Sequence, residues 1–80
     1  MEIENVFGSR VLEQRKALGL SQGALGEKVG LTHKAISTIE NGKRGTSLDN
    51  LRELAYVFHV STDYLLGITD DPTWRGETKI

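Results

Sequence analysis

Three times in this chain an apolar residue precedes a Ser or Thr, and a second apolar residue stands where the fourth position of a helix would fall. The sets are Leu20-Ser21 with Leu25, Leu31-Thr32 with Ile36, and Val60-Ser61 with Leu65. A Ser or Thr oxygen caps a helix by accepting from an amide of the first turn that has no partner within the helix. The flanking apolar pair is a hydrophobic staple, which fixes the angle at which the chain enters the helix. Ser47 is a fourth cap of the same kind. A chain marked in this way must fold as short, separately capped helices joined by tight turns.

The apolar spacing agrees. Strict alternation is absent, so strands are not expected. Phe7, Val11, Arg15 and Leu18 share one helix face, with Leu12 beside them. Leu25 and Val29 are four apart, and Ile36 and Ile39 three apart. Leu48, Leu51, Leu54, Ala55 and Phe58 form a longer stripe, and Leu65-Leu66 close a last short element. The spacing predicts an all-α chain of five helices, over 5–18, 22–29, 33–40, 48–58 and 62–66. Gly30 and Gly42 fall just past helix ends, where left-handed backbone is wanted and glycine adopts it cheaply. Gly26 lies inside a helix at a cost of about 1 kcal/mol against alanine; close approach of a neighbouring helix is the expected return. Gly23 has no such justification.

With 80 residues the chain is expected to be one small domain, its helical part ending near residue 67 and a short tail filling 68–80. No cysteine is present, so neither disulfides nor a thiolate metal site are available. No apolar run reaches the length of a membrane span, and the N-terminus lacks the basic start and apolar centre of a signal peptide, so a cytoplasmic protein is expected. The formal charge of −1 conceals an asymmetry. Residues 10–44 carry seven bases against three acids, whereas residues 45–80 carry three bases against six acids. The basic excess sits in the middle of the chain, around the paired short helices.

Helix 22–29, a turn at Gly30-Leu31-Thr32 and helix 33–40 have the spacing of a helix-turn-helix. The second helix would then project His33, Lys34, Ser37 and Thr38, hydrogen-bonding groups of the kind that read base edges. A plain helical hairpin with a solvated face satisfies the same spacing. Lys34 adds weight to the first alternative. A cation in the first turn opposes the helix dipole, and a polyanion would compensate it.

The run RVLEQRKALGLSQGALGEKVGLTHKAISTIENGKRGTSLDNLRELAYVFHVSTDYLLG, residues 10–67, resembles the Cro/CI-type (XRE) helix-turn-helix family of phage and bacterial repressors. The marks are Leu20-Ser21-Gln22, Leu25, Val29-Gly30, Ile36, Ile39-Glu40-Asn41-Gly42-Lys43, Leu51, Leu54-Ala55 and Leu65-Leu66-Gly67. The resemblance implies a compact five-helix, lambda-repressor-like domain whose third helix enters the major groove of double-stranded DNA. It implies base-contacting roles for His33, Lys34, Ser37 and Thr38. Gln22 would contact a phosphate and steady the recognition helix. Asn41, Lys43 and Arg44 would hold the sugar-phosphate backbone, and Ser21, Thr32 and Arg10 join that set. Gly23 and Gly26 depart from the family, which favours helix formers there. His33-Lys34 departs from the glutamine pair of familiar phage repressors, so no operator sequence carries over.

Arg15 and Glu40 each fall on a buried helix face. Two lone charges of opposite sign in such positions are expected to pair, because an unpaired buried charge is too costly. The family resemblance agrees.

Other chemistries find little support. His33 and His59 are the only histidines and have no partner at ligand spacing, so no metal is expected; His59 is read as a partly buried link between helices. GKRGTS is not a phosphate loop, which would need Gly at Ser37 and Ser or Thr at Arg44. No nucleophile–base pair suggests an enzyme, and no cofactor is called for. The tail, ITDDPTWRGETKI, is read as a frayed terminus, with docking of Trp74 or a dimer contact through it as the alternatives. The expected function is transcriptional regulation, with repression of a palindromic operator by a homodimer. An antitoxin and a protein-interaction adaptor on the same fold stand as alternatives.

Overall fold

The computed structural model describes residues 3–74. Within them the chain forms five helices: α1 Ile3–Ala17, α2 Gln22–Val29, α3 His33–Glu40, α4 Leu48–Phe58 and α5 Thr62–Leu65. Each expected cap is in place. The side-chain oxygens of Ser21, Thr32, Ser47 and Ser61 accept from the amides of Ala24, Ala35, Asn50 and Tyr64 at 3.0–3.1 Å. The staple partners Leu25, Ile36 and Leu65 are fully buried. The three middle helices have the bounds expected from their caps; α1 begins and ends earlier than expected, and α5 is shorter by one residue.

The core is one cluster drawn from every helix, with Val11, Leu25, Ile36, Leu54 and Leu65 at its centre. Leu48 is a correction to the predicted stripe. It occupies the first position of α4 and lies 83% exposed, so the buried face of that helix begins at Leu51 and Leu54.

Two glycines let backbone meet backbone. At the end of α2 the amides of Gly30 and Leu31 both turn back onto the Gly26 carbonyl, with Gly30 at φ 76°. This folds the turn over α2, and a Cβ on Gly26 would fall well inside contact with the Leu31 carbonyl oxygen. The close neighbour is therefore the turn itself, rather than another helix as expected. Gly8 does the same for α1, where a Cβ would collide with the Ile39 carbonyl at the end of α3. Gly23 faces nearly open space; its nearest neighbour would be Ser21 Oγ at 3.9 Å.

The segment after α5 is docked through Trp74. The Arg10 guanidinium donates to the carbonyls of Tyr64 (2.5 Å) and Thr69 (2.6 Å) and to the Asp70 carboxylate (2.6 Å), and it lies 4.1 Å over the Tyr64 ring. Trp74 then stacks on His59, with centroids 4.8 Å apart, and meets Tyr56 at 5.2 Å. The frayed reading of the tail is thus corrected as far as Trp74, and residues 75–80 lie outside the described part. His59 is corrected too. It ends α4 in the left-handed conformation, φ 61°, which leaves Phe58 and Val60 in the core and His59 itself exposed.

Candidate nucleic-acid interface

The placement of α3 follows from its two faces. Ile36 and Ile39 are buried in the core. His33 and Lys34 are exposed, and Ser37 and Thr38 are half-exposed on the turn that follows. Positions four apart are neighbours along a helix, so the outer face is two columns, His33 with Ser37 and Lys34 with Thr38. All four residues expected at base edges are therefore brought together. One detail was not legible beforehand. The Thr38 hydroxyl donates to the Lys34 carbonyl at 2.9 Å, whereas Ser37 makes no side-chain hydrogen bond among the described residues.

The angle of α3 is fixed from its C-terminal end. Arg15 on α1 donates from Nε to Glu40 Oε2 at 2.6 Å and from Nη2 to Oε1 at 3.1 Å. Its Nη1 donates to the Leu20 carbonyl at 2.8 Å. Gln22 adds a third bond to Glu40, Nε2 to Oε1 at 3.0 Å. One carboxylate, with its side chain only 4% exposed, thereby joins α1, α2 and α3. The hydrogen bond to Glu40 raises the Arg15 pKa above the ordinary arginine range, against the opposing effect of burial.

This hub also sets the sign of the surface. Between residues 21 and 44 the acids are Glu27 and Glu40 and the bases Lys28, Lys34, Lys43 and Arg44. With Glu40 neutralised inside, Glu27 is the one exposed acid of that stretch. Lys34, Lys43 and Arg44 are exposed and form no ion pair among the described residues.

The remaining expected contacts divide. Ser21 and Thr32 are caps at the N-termini of α2 and α3 and remain exposed, with hydroxyl hydrogens free to donate. First-turn amides and the helix dipole favour an anion at both ends. Asn41, Lys43 and Arg44 stand exposed in the loop that leaves α3, where the amides of Asn41 and Lys43 turn back onto the carbonyls of Ser37 and Thr38. Gln22 is partly buried and spends an amide hydrogen on Glu40. Arg10 stands apart, since three of its five N–H donors are committed to Tyr64, Thr69 and Asp70.

Sequence reasoning missed Gly8 and the polar chain at Tyr64. The Tyr64 hydroxyl donates to Glu13 Oε1 at 2.6 Å while Arg10 covers the ring. That hydrogen bond, with burial, raises the Tyr64 pKa. Gly8 gave a signal that was available, a glycine on the apolar face between Phe7 and Val11. No group of His, Asp and Glu among the described residues is placed to hold a metal, and no described helix is long and apolar enough to cross a membrane.

Five helices, a stapled α2–turn–α3 unit and an exposed outer face on α3 define a helix-turn-helix domain. The helix-turn-helix family profile matches residues 11–65, and the chain belongs to that family, in its Cro/CI type. It is 36% identical over 74 residues to the uncharacterized HTH-type transcriptional regulator YobD of Bacillus subtilis, spanning 92% of this chain and 66% of that protein. The HTH-type transcriptional regulator ImmR of the same organism is 34% identical over 74 residues, of which this chain spans 58%. Among solved structures, the P22 c2 repressor in complex with a synthetic operator superposes with a TM-score of 0.73 at 38% identity, over 75% of this chain and 91% of that one. The restriction-modification controller protein C.AhdI of Aeromonas hydrophila gives 0.70 at 35% identity, over 78% and 94%. The family is one of transcription regulators, which is not an enzyme class.

Proposed function

We propose that this protein regulates transcription by binding double-stranded DNA sequence-specifically, with α3 in the major groove. The carrying observation is the outer face of α3. Four hydrogen-bonding side chains stand outside the core beside Lys43 and Arg44, cations that no acid of the described residues neutralises. In this reading His33, Lys34, Ser37 and Thr38 meet base edges. Ser21, Thr32, Asn41, Lys43 and Arg44, with Gln22 at the mouth of α2, hold phosphates. Arg10 is left to the tail. Residues 1–67 form the DNA-binding unit and 68–80 its appended tail. The protein works in the cytoplasm as a repressor. One short helix reads few bases, so a homodimer binds a palindromic operator with half-sites about 34 Å apart. The structural likeness to a repressor solved on operator DNA supports the reading.

The experiment is selection of bound duplexes from a random pool, followed by titration of the selected site against salt. Each phosphate contact contributes about 0.9 to the log–log slope. Lys43→Ala should weaken selected and random duplexes alike and flatten the slope by about one contact. A chain that enriches no sequence, or whose affinity ignores salt, is not a DNA reader, and the adaptor alternative then stands in its place.

A further inference from the structure

We propose that Thr38 is the thymine-reading position of α3, acting through its methyl group rather than its hydroxyl. The inference rests on the reading of α3 as the helix that enters the major groove, and it assigns a base chemistry to one position of that helix. A free threonine hydroxyl is a donor and an acceptor at once, and Ser or Thr in the groove therefore satisfies either kind of base edge. Thr38 is not free in this sense. Its hydroxyl hydrogen is committed to the Lys34 carbonyl at 2.9 Å, one turn back along the same helix. The donor is turned onto the protein's own backbone; the hydroxyl oxygen keeps acceptor capacity alone, and the Cβ methyl is the apolar group of a half-exposed side chain. Among major-groove edges, the one that rewards an apolar group is the C5-methyl of thymine.

The neighbours sharpen the assignment. Ser37 has no methyl and a hydroxyl unengaged among the described residues, so it serves as a polar reader. Lys34 is donor-only, suited to the guanine acceptors. Thr38 is the one residue of the four with an aliphatic surface at its tip. Back-bonding also holds the side chain in one rotamer, so the methyl is presented without further ordering.

The test uses the intact chain and the duplex selected from the random pool. Each thymine of the half-site is replaced singly by deoxyuridine, which keeps Watson–Crick pairing and lacks the C5-methyl. One such replacement should weaken wild-type binding about fourfold, the loss of one buried methyl at about 0.8 kcal/mol, taken at 1.4 kcal/mol per factor of ten. Thr38→Ser removes the methyl and keeps the hydroxyl. It should bind the thymine and deoxyuridine duplexes equally, at the level of wild type on deoxyuridine. Thr38→Val keeps a methyl and loses the hydroxyl, and it should retain the wild-type preference. Circular-dichroism melting shows whether both variants fold as the parent does, and the deoxyuridine series on wild type needs no variant at all. A preference for thymine that survives in Thr38→Ser assigns the methyl contact to another residue and overturns the proposal. So does a wild type indifferent to every deoxyuridine, or a Thr38→Val that loses what Thr38→Ser keeps. Failure to select any duplex would instead remove the underlying reading of α3.

Discussion

Replacing Arg15 with alanine should remove a large share of the chain's folding stability. The substitution removes two hydrogen bonds to the Glu40 carboxylate and one to the Leu20 carbonyl. It leaves behind a carboxylate only 4% exposed, with Gln22 as its one remaining side-chain partner among the described residues. Breaking one side of a buried pair costs about 3–5 kcal/mol, because the surviving charge is uncompensated. Gln22 offsets part of that, so about 3–4 kcal/mol is expected. A chain of this length has roughly 4–12 kcal/mol of stability in total at about 0.05–0.15 kcal/mol per residue. The loss is therefore about a quarter of that total at the upper end of the range and nearly all of it at the lower end. Urea denaturation followed by circular dichroism measures the loss. DNA binding should fail with it and return in a stabilising osmolyte, which strengthens burial. The double replacement of Arg15 by Met and Glu40 by Leu should recover most of the loss, since no orphaned charge remains. Because Arg15 is held protonated, with its pKa raised, its contribution persists through all neutral pH and declines only in strong alkali. An Arg15→Ala protein that unfolds within 1 kcal/mol of the parent (about the worth of a surface ion pair) would refute the claim that this hub holds the three helices together.

Three glycines should respond to alanine in opposite directions, read by thermal melting. Gly23→Ala enters open space and should stabilise by about 0.4–1 kcal/mol; Gly8→Ala and Gly26→Ala meet fixed backbone carbonyls and should destabilise by about 1–3 kcal/mol. Stability should fall as pH rises above the ordinary tyrosine range, about 10, because Tyr64 is held protonated by Glu13 while the unfolded chain ionises first. Tyr64→Phe should flatten that limb of a pH–melting curve. At the tail, Arg10→Ala should cost about 1–2 kcal/mol by removing its bonds to the Tyr64 and Thr69 carbonyls, the first of which keeps the Gly67 amide, and shift the emission of Trp74, the single tryptophan, to the red. Asp70→Asn should change stability by less than about 1 kcal/mol, since Asp70 is almost fully exposed.

What the sequence showed plainly was whatever depends on neighbours in the chain. Ser21, Thr32, Ser47 and Ser61 announced the starts of α2 to α5 because capping is a contact between residues three apart. Arg15 and Glu40 were legible as a pair because each is a charge on an otherwise apolar face, a conflict with few resolutions. The outward set on α3 followed from helical spacing once Ile36 and Ile39 were placed inside. Contacts with no local signature were hidden. Arg10 looks like any exposed base of the central segment, and only the return of the chain after α5 brings Thr69 and Asp70 to it. His59 sits between two apolar residues and so read as partly buried; its left-handed backbone leaves it exposed instead. Trp74 follows a Pro and two Asp, the usual composition of a loose end, and docks because aromatic surface at Tyr56 and His59 lies within reach.

The separation of the two faces of α3 has an evolutionary meaning. Ile36, Ile39 and Glu40 carry that helix's share of folding, and His33, Lys34, Ser37 and Thr38 contribute almost nothing to the core. Substitutions at such surface positions usually change stability by no more than about 0.5 kcal/mol. On the proposed reading of α3, mutation can therefore rewrite the address this protein reads without first solving the folding problem again. If α3 reads DNA as proposed, a gene copy drifting at those four positions changes its target while keeping the core that folds it.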